Sequence, residues 1–116
     1  MPQILLVEDE VEIQLLLQHV LHAEGYTVHA TGTVKSALYL LEDRPFDLVV
    51  TDGKLPDGTG MTVGEKASEK GIKTIIVTGY AFRFPKEELS RFPYLLKPIR
   101  PPELLNLIKR ELDPGK

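Results

Sequence analysis

Acidic side chains stand at the ends of two apolar segments that the sequence predicts as β-strands. Glu8 and Asp9 follow the run ILLV, and Asp52 follows the run DLVVT. A hydroxyl, Thr78, and a cation, Lys97, stand at the ends of two further runs. Because open α/β sheets bind ligands at the carboxyl ends of their strands, we expect these side chains to converge on one site. Carboxylates brought this close raise one another's pKa unless a cation offsets their repulsion.

An oxygen-only set of ligands favours a hard divalent cation, and Mg²⁺ suits such a site because it keeps several of its waters. The alternative is that Glu8 and Asp9 form a solvated acidic group at a helix N-terminus, where acids are also favourable. Asp52 and Lys97 favour the site, since a lysine at a strand end is a mobile charge suited to a phosphoryl oxygen. Lys97 and Thr78 also have ordinary interpretations, as a surface lysine and a turn threonine.

Strand and helix patterns alternate along the chain. Short apolar runs predict strands, and apolar residues spaced by three and four predict the helices between them. The predicted strands cover 3–7, 26–30, 47–51, 72–78 and 94–96. The predicted helices cover 11–24, 33–42 and 61–70, a short or irregular stretch at 86–91, and a last segment that starts at Pro101 and Pro102. This alternation predicts an α/β fold, a parallel sheet covered by helices on both faces.

Two local predictions concern the helices. Thr33 is predicted to cap the N-terminus of the second helix. The inner face of the first helix is predicted from its spacing to consist of Ile13, Leu16, Leu17 and Val20.

Length and composition limit the class of protein. The 116 residues suit one domain, and we expect a single unit over 1–116 with no effector domain. A net charge of -3 provides no basic field, so direct nucleic-acid binding is not expected. The chain has no cysteine and no run of about 18 apolar residues, so thiolate sites and membrane spans are not expected. These features predict a cytoplasmic protein.

Four sequence blocks, taken in order, resemble the receiver domain of bacterial two-component response regulators. They are ILLVEDE at 4–10, DLVVTD at 47–52 followed by Pro56, IVTG at 76–79, and YLLKP at 94–98. The resemblance covers the whole chain. It implies a three-layer, flavodoxin-like fold with a five-stranded parallel sheet of order 2-1-3-4-5 and about five helices. It also implies a cis Lys97–Pro98 peptide bond.

The resemblance implies roles for individual residues. Asp52 would be the phosphoacceptor, with Lys97 contacting the phosphoryl group and Thr78 supplying the switch hydroxyl. Tyr94 would be the switch aromatic that changes rotamer. The donor would be a histidine kinase or a histidine phosphotransfer protein, and the chain would catalyse only its own phosphorylation and dephosphorylation.

The resemblance also implies a metal site for Mg²⁺ or Mn²⁺. Its ligands would be Glu8, Asp9, Asp52 and the backbone carbonyl of Lys54. Glu8 stands where the family more often has aspartate, so we expect a weaker or altered metal affinity.

Two residues border the expected site. Lys54 follows Asp52 by two positions and is expected to pair with Glu8 or Asp57. We hypothesise that Lys54 and Tyr80 restrict the access of water and so set the lifetime of the phosphoryl group.

Aromatic residues concentrate in one part of the chain, and two interpretations remain open. They are Tyr80, Phe82, Phe84, Phe92 and Tyr94, accompanied by Arg83 and Arg91. Aromatics with arginine are typical of docking surfaces, here for an unknown downstream protein. A homodimer through the fourth helix, fifth strand and fifth helix is the related prediction. The alternative is that these aromatics pack inward and replace a missing helix.

Two other functions compete with the phosphoacceptor. One is a phosphorylation-independent interaction module with a vestigial acidic pocket. The other is a small aspartate-nucleophile phosphatase. Such enzymes generally need a second acid two residues after the nucleophile, where this chain has Lys54.

Overall fold

The computed structural model describes residues 1–79, 87 and 90–113. Within these residues, five strands form the main sheet: β1 (Gln3–Val7), β2 (Thr27–Thr31), β3 (Leu48–Asp52), β6 (Lys73–Thr78) and β7 (Tyr94–Leu96). A short hairpin follows β3 and consists of β4 (Lys54–Leu55) and β5 (Gly58–Thr59). The helices of the described part are α1 (Val11–Ala23), α2 (Val34–Asp43), α3 (Gly60–Glu69) and α4 (Pro101–Leu112).

The main sheet is parallel and has the order β2-β1-β3-β6-β7. Counted along the chain without the hairpin, this is 2-1-3-4-5, so the predicted order is confirmed. Crossovers by helices place β1 and β3 side by side at the centre. In a parallel sheet these central strands are buried on both faces, which explains why all five residues of β3 are buried.

Two apolar layers lie on opposite faces of the sheet. One packs against α1 and α4 and contains Ile4, Leu6, Leu17, Leu21, Leu104 and Ile108. The other packs against α2 and α3 and contains Leu5, Val7, Ala37, Val63 and Ala67. Because side chains alternate along a strand, successive residues of β1 serve opposite layers. The three-layer architecture predicted from the sequence is therefore confirmed.

One part of the predicted inner face of α1 is wrong. Leu16 is 55% exposed, whereas Leu17 and Leu21 are buried. Ile13, Leu17 and Leu21 recur every four residues and form the stripe that meets the sheet. Leu16 lies about 100° around the helix from Leu17, on the solvent side. The helix has more leucines than one face needs, so spacing alone could not select the buried ones.

The aromatic-rich segment is only partly described. The predicted helix at 86–91 falls mainly on residues outside the described ones, as do Tyr80, Phe82 and Phe84. Phe92 is buried against Met61 and Ile76, so the inward-packing alternative holds for this residue.

The close packing of Phe92 depends on a glycine of α3. A side chain at Gly64 would bring its Cβ to 2.8 Å from the Phe92 ring. The Arg91 guanidinium lies 5.5 Å from the centre of the same ring and contacts Glu65 of α3 at 3.1 Å. These contacts attach the segment before β7 to α3.

Candidate functional site

The carboxyl ends of four parallel strands bring the predicted polar residues to one edge of the sheet. Glu8 follows β1, Asp52 ends β3, Thr78 ends β6 and Lys97 follows β7. The register aligns Asp52 with Val77 of β6. Residues 8, 52, 78 and 97 are therefore placed by backbone pairing of their strands.

Lys97 bridges two buried carboxylates at this edge. Its Nζ lies 3.0 Å from Asp52 Oδ2 and 3.1 Å from Glu8 Oε1. The exposed fractions of the side chains are 20% for Lys97, 8% for Asp52 and 3% for Glu8. Charge-assisted hydrogen bonds of this length are strong where water is scarce. Lys97 thus neutralises part of the negative charge that the strand ends bring together.

The surroundings of Glu8 disfavour its charged form. Burial raises the pKa of Glu8, and the neighbouring Asp52 raises it further, against the lowering effects of the Glu10 N–H and Lys97. The Glu10 N–H donates to Glu8 Oε2 at 3.0 Å. For Lys97, burial acts to lower the pKa, but Asp52 and Glu8 outweigh it and the pKa is raised. The lysine is therefore held in its charged form by the two acids.

Three carboxylates are arranged so that they can share a metal ion. Glu8, Asp9 and Asp52 each offer an oxygen, and these oxygens lie within 4.8 Å of one another. Asp9 is exposed while the other two are buried, so the group opens to solvent on one side. An oxygen-only donor set with an open side fits Mg²⁺, which retains several waters.

A cleft of about 460 Å³ lies beside these acids. It is lined by Asp9, Glu10, Asp52, Lys54, Leu55, Pro56, Gly79 and Lys97. The acids that line this cleft would repel a small anion. Binding of an anion would therefore depend on the positive charge of Lys97 and of a metal ion.

Thr78 and Tyr94 lie on the same face of the sheet. Thr78 pairs with Leu96 of β7, and Tyr94 is two residues earlier on that strand. Thr78 is fully buried and its carbonyl accepts the Lys97 N–H at 3.0 Å. The Tyr94 side chain is exposed, at 45%. The Lys97–Pro98 peptide bond is cis.

The hairpin β4–β5 next to the site was missed by sequence periodicity, because its strands have two residues each. Its signal is the Pro56-Asp57-Gly58 turn signature. The hairpin is closed at its base by the Gly60 N–H, which donates to the Gly53 carbonyl at 2.9 Å. A Cβ at Gly60 would overlap the Asp52 carbonyl oxygen, so glycine lets α3 begin directly against β3.

Of the two residues expected to border the site, the structure describes Lys54 only. Lys54 lines the cleft, and its N–H lies 3.5 Å from Asp52 Oδ1. Tyr80 is outside the described residues. The ion pair described for Glu8 is with Lys97, and Asp57 accepts backbone N–H groups of α2.

Comparison with known proteins gives one family. Residues 4–109 match a family model described as the response regulator receiver domain. Regulatory protein VanR of Enterococcus faecium is 35% identical over 95% of this chain and 49% of that protein. Sporulation initiation phosphotransferase F of Bacillus subtilis is 31% identical over 95% of this chain and 93% of that protein. The chain thus spans about half the length of VanR, but nearly all of the smaller relative.

Solved structures agree with the family match. A CheY-like receiver domain from Methanospirillum hungatei is 36% identical, with a TM-score of 0.88 and coverage of 98% of this chain and 95% of that chain. Response regulator TrrA from Thermotoga maritima, in complex with Mg²⁺-BeF, is 29% identical with a TM-score of 0.87 and coverage of 97% and 100%.

Among the described residues, no helix combines the length and apolar character that crossing a membrane requires.

Proposed function

The chain belongs to the response regulator receiver domain family, and from this membership we propose that Asp52 accepts a phosphoryl group from a phosphohistidine. The donor is a histidine kinase or a histidine phosphotransfer protein. The observation that carries the proposal is the bridge from Lys97 Nζ to Asp52 at 3.0 Å, beside acids that can share a cation. Asp52, Lys97, Asp9 and Lys54 line one cleft, which supports this proposal.

The proposed step is a nucleophilic transfer. An Asp52 carboxylate oxygen forms a bond to phosphorus while the phosphorus–nitrogen bond of phosphohistidine breaks. The electron pair of that bond goes to the imidazole nitrogen, which takes up a proton. Lys97 Nζ binds an oxygen of the phosphoryl group and stabilises its charge during transfer. Hydrolysis of the acyl phosphate by water regenerates the carboxylate, so the chain acts only on its own modification.

The acidic group is proposed to hold Mg²⁺ or Mn²⁺ through Glu8, Asp9, Asp52 and the Lys54 carbonyl. When bound, the ion supplies positive charge next to the transferring oxygens. The raised pKa of Glu8 supports this assignment, because a buried and crowded carboxylate is relieved by a cation.

The output is proposed to be a change in the surface around β7. The phosphoryl group draws the Thr78 hydroxyl toward the cleft, and the Tyr94 ring turns into the space this leaves. Tyr94 and Leu96 are exposed, at 45% and 59%, so a change there alters what a partner meets. The downstream partner is a protein or a second copy of the chain bound at this face.

Uptake from a small acyl phosphate donor tests the proposal. Wild type, Asp52→Asn and Asp9→Asn are incubated with the donor, with and without Mg²⁺, and their intact masses are measured. We expect one phosphoryl group on wild type in the presence of Mg²⁺, none on Asp52→Asn, and little on Asp9→Asn. Failure of wild type to take up a group from this donor and from histidine kinases would favour the phosphorylation-independent module.

A further inference from the structure

Asp57, at the tip of the β4–β5 hairpin, caps a helix that is distant in sequence. Its Oδ1 accepts the Val34 N–H at 2.8 Å, and its Oδ2 accepts the Lys35 N–H at 3.0 Å. The first N–H groups of a helix lack acceptors within the helix. Thr33 Oγ1 accepts a third one, from Ser36, at 3.1 Å. The N-terminus of α2 is therefore satisfied by one local side chain and by one from the hairpin.

The tip of the hairpin is docked on α2 by packing as well. Gly58 has a φ of +155°, and a Cβ there would lie 3.3 Å from Val34 Cγ2. Leu55 and Val34 are both buried in the apolar layer beneath α2 and α3. Asp57 and Gly58 thus meet the same end of α2, and Leu55 is buried in the same apolar layer as Val34.

The first strand of the hairpin and the proline that follows it form a wall of the phosphoacceptor cleft. Lys54, Leu55 and Pro56 line the cleft beside Asp52. The hairpin has two residue pairs, Lys54↔Thr59 and Leu55↔Gly58. A ribbon this short does not hold its shape in water without outside contacts.

We propose that Asp57 is a positioning residue for the Asp52 site, because its cap on α2 fixes the hairpin and with it the backbone of Lys54. The inference rests on the proposed function, in which the Lys54 carbonyl is a metal ligand. The negative charge of Asp57 suits this position, since anions are favoured at helix N-termini. The two backbone N–H groups also lower the pKa of Asp57, so the carboxylate is ionised at neutral pH.

Thr33 provides a matched control for this inference. Thr33 and Asp57 cap the same helix end, so removing either side chain weakens the start of α2. Removing Asp57 also releases the hairpin tip. The capping bond of Thr33 is made with Ser36 of the same helix and does not involve the hairpin. A role limited to helix stability predicts the same Kd for Mg²⁺ in the two folded variants, although Asp57 accepts two N–H groups and Thr33 accepts one. A positioning role predicts a raised Kd in the Asp57 variant alone.

The experiment compares Asp57→Ala, Asp57→Asn and Thr33→Ala in the full chain by calorimetric titration with MgCl₂ and by amide hydrogen exchange. Asp57→Ala is expected to raise the Kd for Mg²⁺ about tenfold, the lower end for groups that orient metal ligands. Asp57→Asn recovers most of the affinity, because its amide oxygen keeps one acceptor. Both Asp57 variants lose the same charge, so their difference measures position. Thr33→Ala leaves the Kd unchanged.

Hydrogen exchange gives a readout that does not depend on the metal. The Lys54 amide is expected to exchange faster in Asp57→Ala than in Thr33→Ala. Equal Mg²⁺ affinities and equal Lys54 exchange in these two variants would overturn the proposal. If Asp57→Ala does not fold, Asp57→Asn against Thr33→Ala decides by the same criterion. If wild type binds no Mg²⁺, the proposed metal site fails, and exchange at Lys54 alone decides whether Asp57 anchors the hairpin.

Discussion

The acidic cleft and the hairpin tip have opposite effects on the pKa of a carboxyl group. In the cleft, burial raises the pKa of Glu8, and the charge of Asp52 adds to the effect. At the hairpin tip, the N–H groups of Lys35 and Val34 lower the pKa of Asp57. The fold stabilises the charge at the tip and penalises the charge in the cleft. The difference separates Asp57, whose charge is stabilised by backbone N–H groups, from Glu8, whose charge Lys97 stabilises only in part.

The largest expected effect is on phosphoryl uptake when the cleft loses its lysine. Lys97→Ala removes the cation that bridges Asp52 and Glu8. Loss of one charge-stabilising donor slows a transfer by about 10²–10³-fold. Initial rates of uptake from a small acyl phosphate donor measure this. Lys73→Ala is the control, because Lys73 is exposed at the opposite end of β6. A loss for Lys97→Ala no larger than for Lys73→Ala would contradict the assigned role.

Mg²⁺ should stabilise the protein through the cleft and not through the hairpin tip. At about 100 times its Kd, a ligand that binds only the folded state adds about 2.7 kcal/mol to the free energy of unfolding. Urea unfolding of wild type with and without MgCl₂ measures this gain. We expect Asp9→Asn to lose most of it and Asp57→Asn to keep most of it. Equal gains in both variants would place the ion elsewhere.

The two carboxylates should give opposite pH dependences of stability. The pKa of folded Glu8 lies above its ordinary 4.5, so its contribution is present below pH 4.5 and is lost as pH rises through the folded pKa. The pKa of folded Asp57 lies below its ordinary 3.8, so its contribution is present above pH 3.8 and is lost as pH falls through the folded pKa.

Urea unfolding at a series of pH values tests this contrast. Relative to wild type, Glu8→Gln should gain stability as the pH rises above 4.5, since the variant lacks the penalised charge. Asp57→Asn should fall below wild type in stability as the pH rises through the lowered folded pKa of Asp57 to 3.8, and the difference should stay constant above that pH. Parallel pH curves for the two variants would remove the distinction between cleft and tip. Metal-free buffer is required, because a cation would relieve Glu8.

The smallest expected effect concerns Lys54, where the two regions meet. If Lys54 restricts water access to the phosphoryl group, Lys54→Ala shortens the half-life of the phosphorylated form by a few-fold. Tyr80→Ala is expected to act in the same direction. Decay is followed by intact mass after removal of the donor, with Lys73→Ala as the control. Unchanged half-lives would dispose of the access hypothesis.

The sheet was predictable because its strands differ strongly from their surroundings in local sequence. β3 is buried at every position, and its apolar run predicts a strand within one residue of the observed bounds. Thr33 was also identifiable as a cap, because its partner Ser36 is three residues away. Leu16 was misplaced, because spacing cannot decide which of several adjacent leucines faces the sheet. Local periodicity thus predicts elements better than it predicts their orientation.

The site was predictable as a group of residues but not as a network of contacts. Strand ends indicate that the residues meet, since parallel strands end at a common edge. The bond between Lys97 and Glu8 joins residues 89 positions apart, and the Asp57–Val34 bond joins residues 23 apart. No periodic signal links such positions, and side-chain distances depend on sheet order and register. The Asp57 cap therefore required the structure.

The proposed function requires the side chain of residue 52 to become an acyl phosphate. Treatment of the phosphorylated protein with borohydride reduces an acyl phosphate of aspartate to homoserine, which peptide mass spectrometry locates. We predict homoserine at position 52 alone, and only after incubation with donor and Mg²⁺. Homoserine at Asp9 or another aspartate, or a phosphoryl group on a side chain that borohydride does not reduce, would contradict phosphorylation at Asp52.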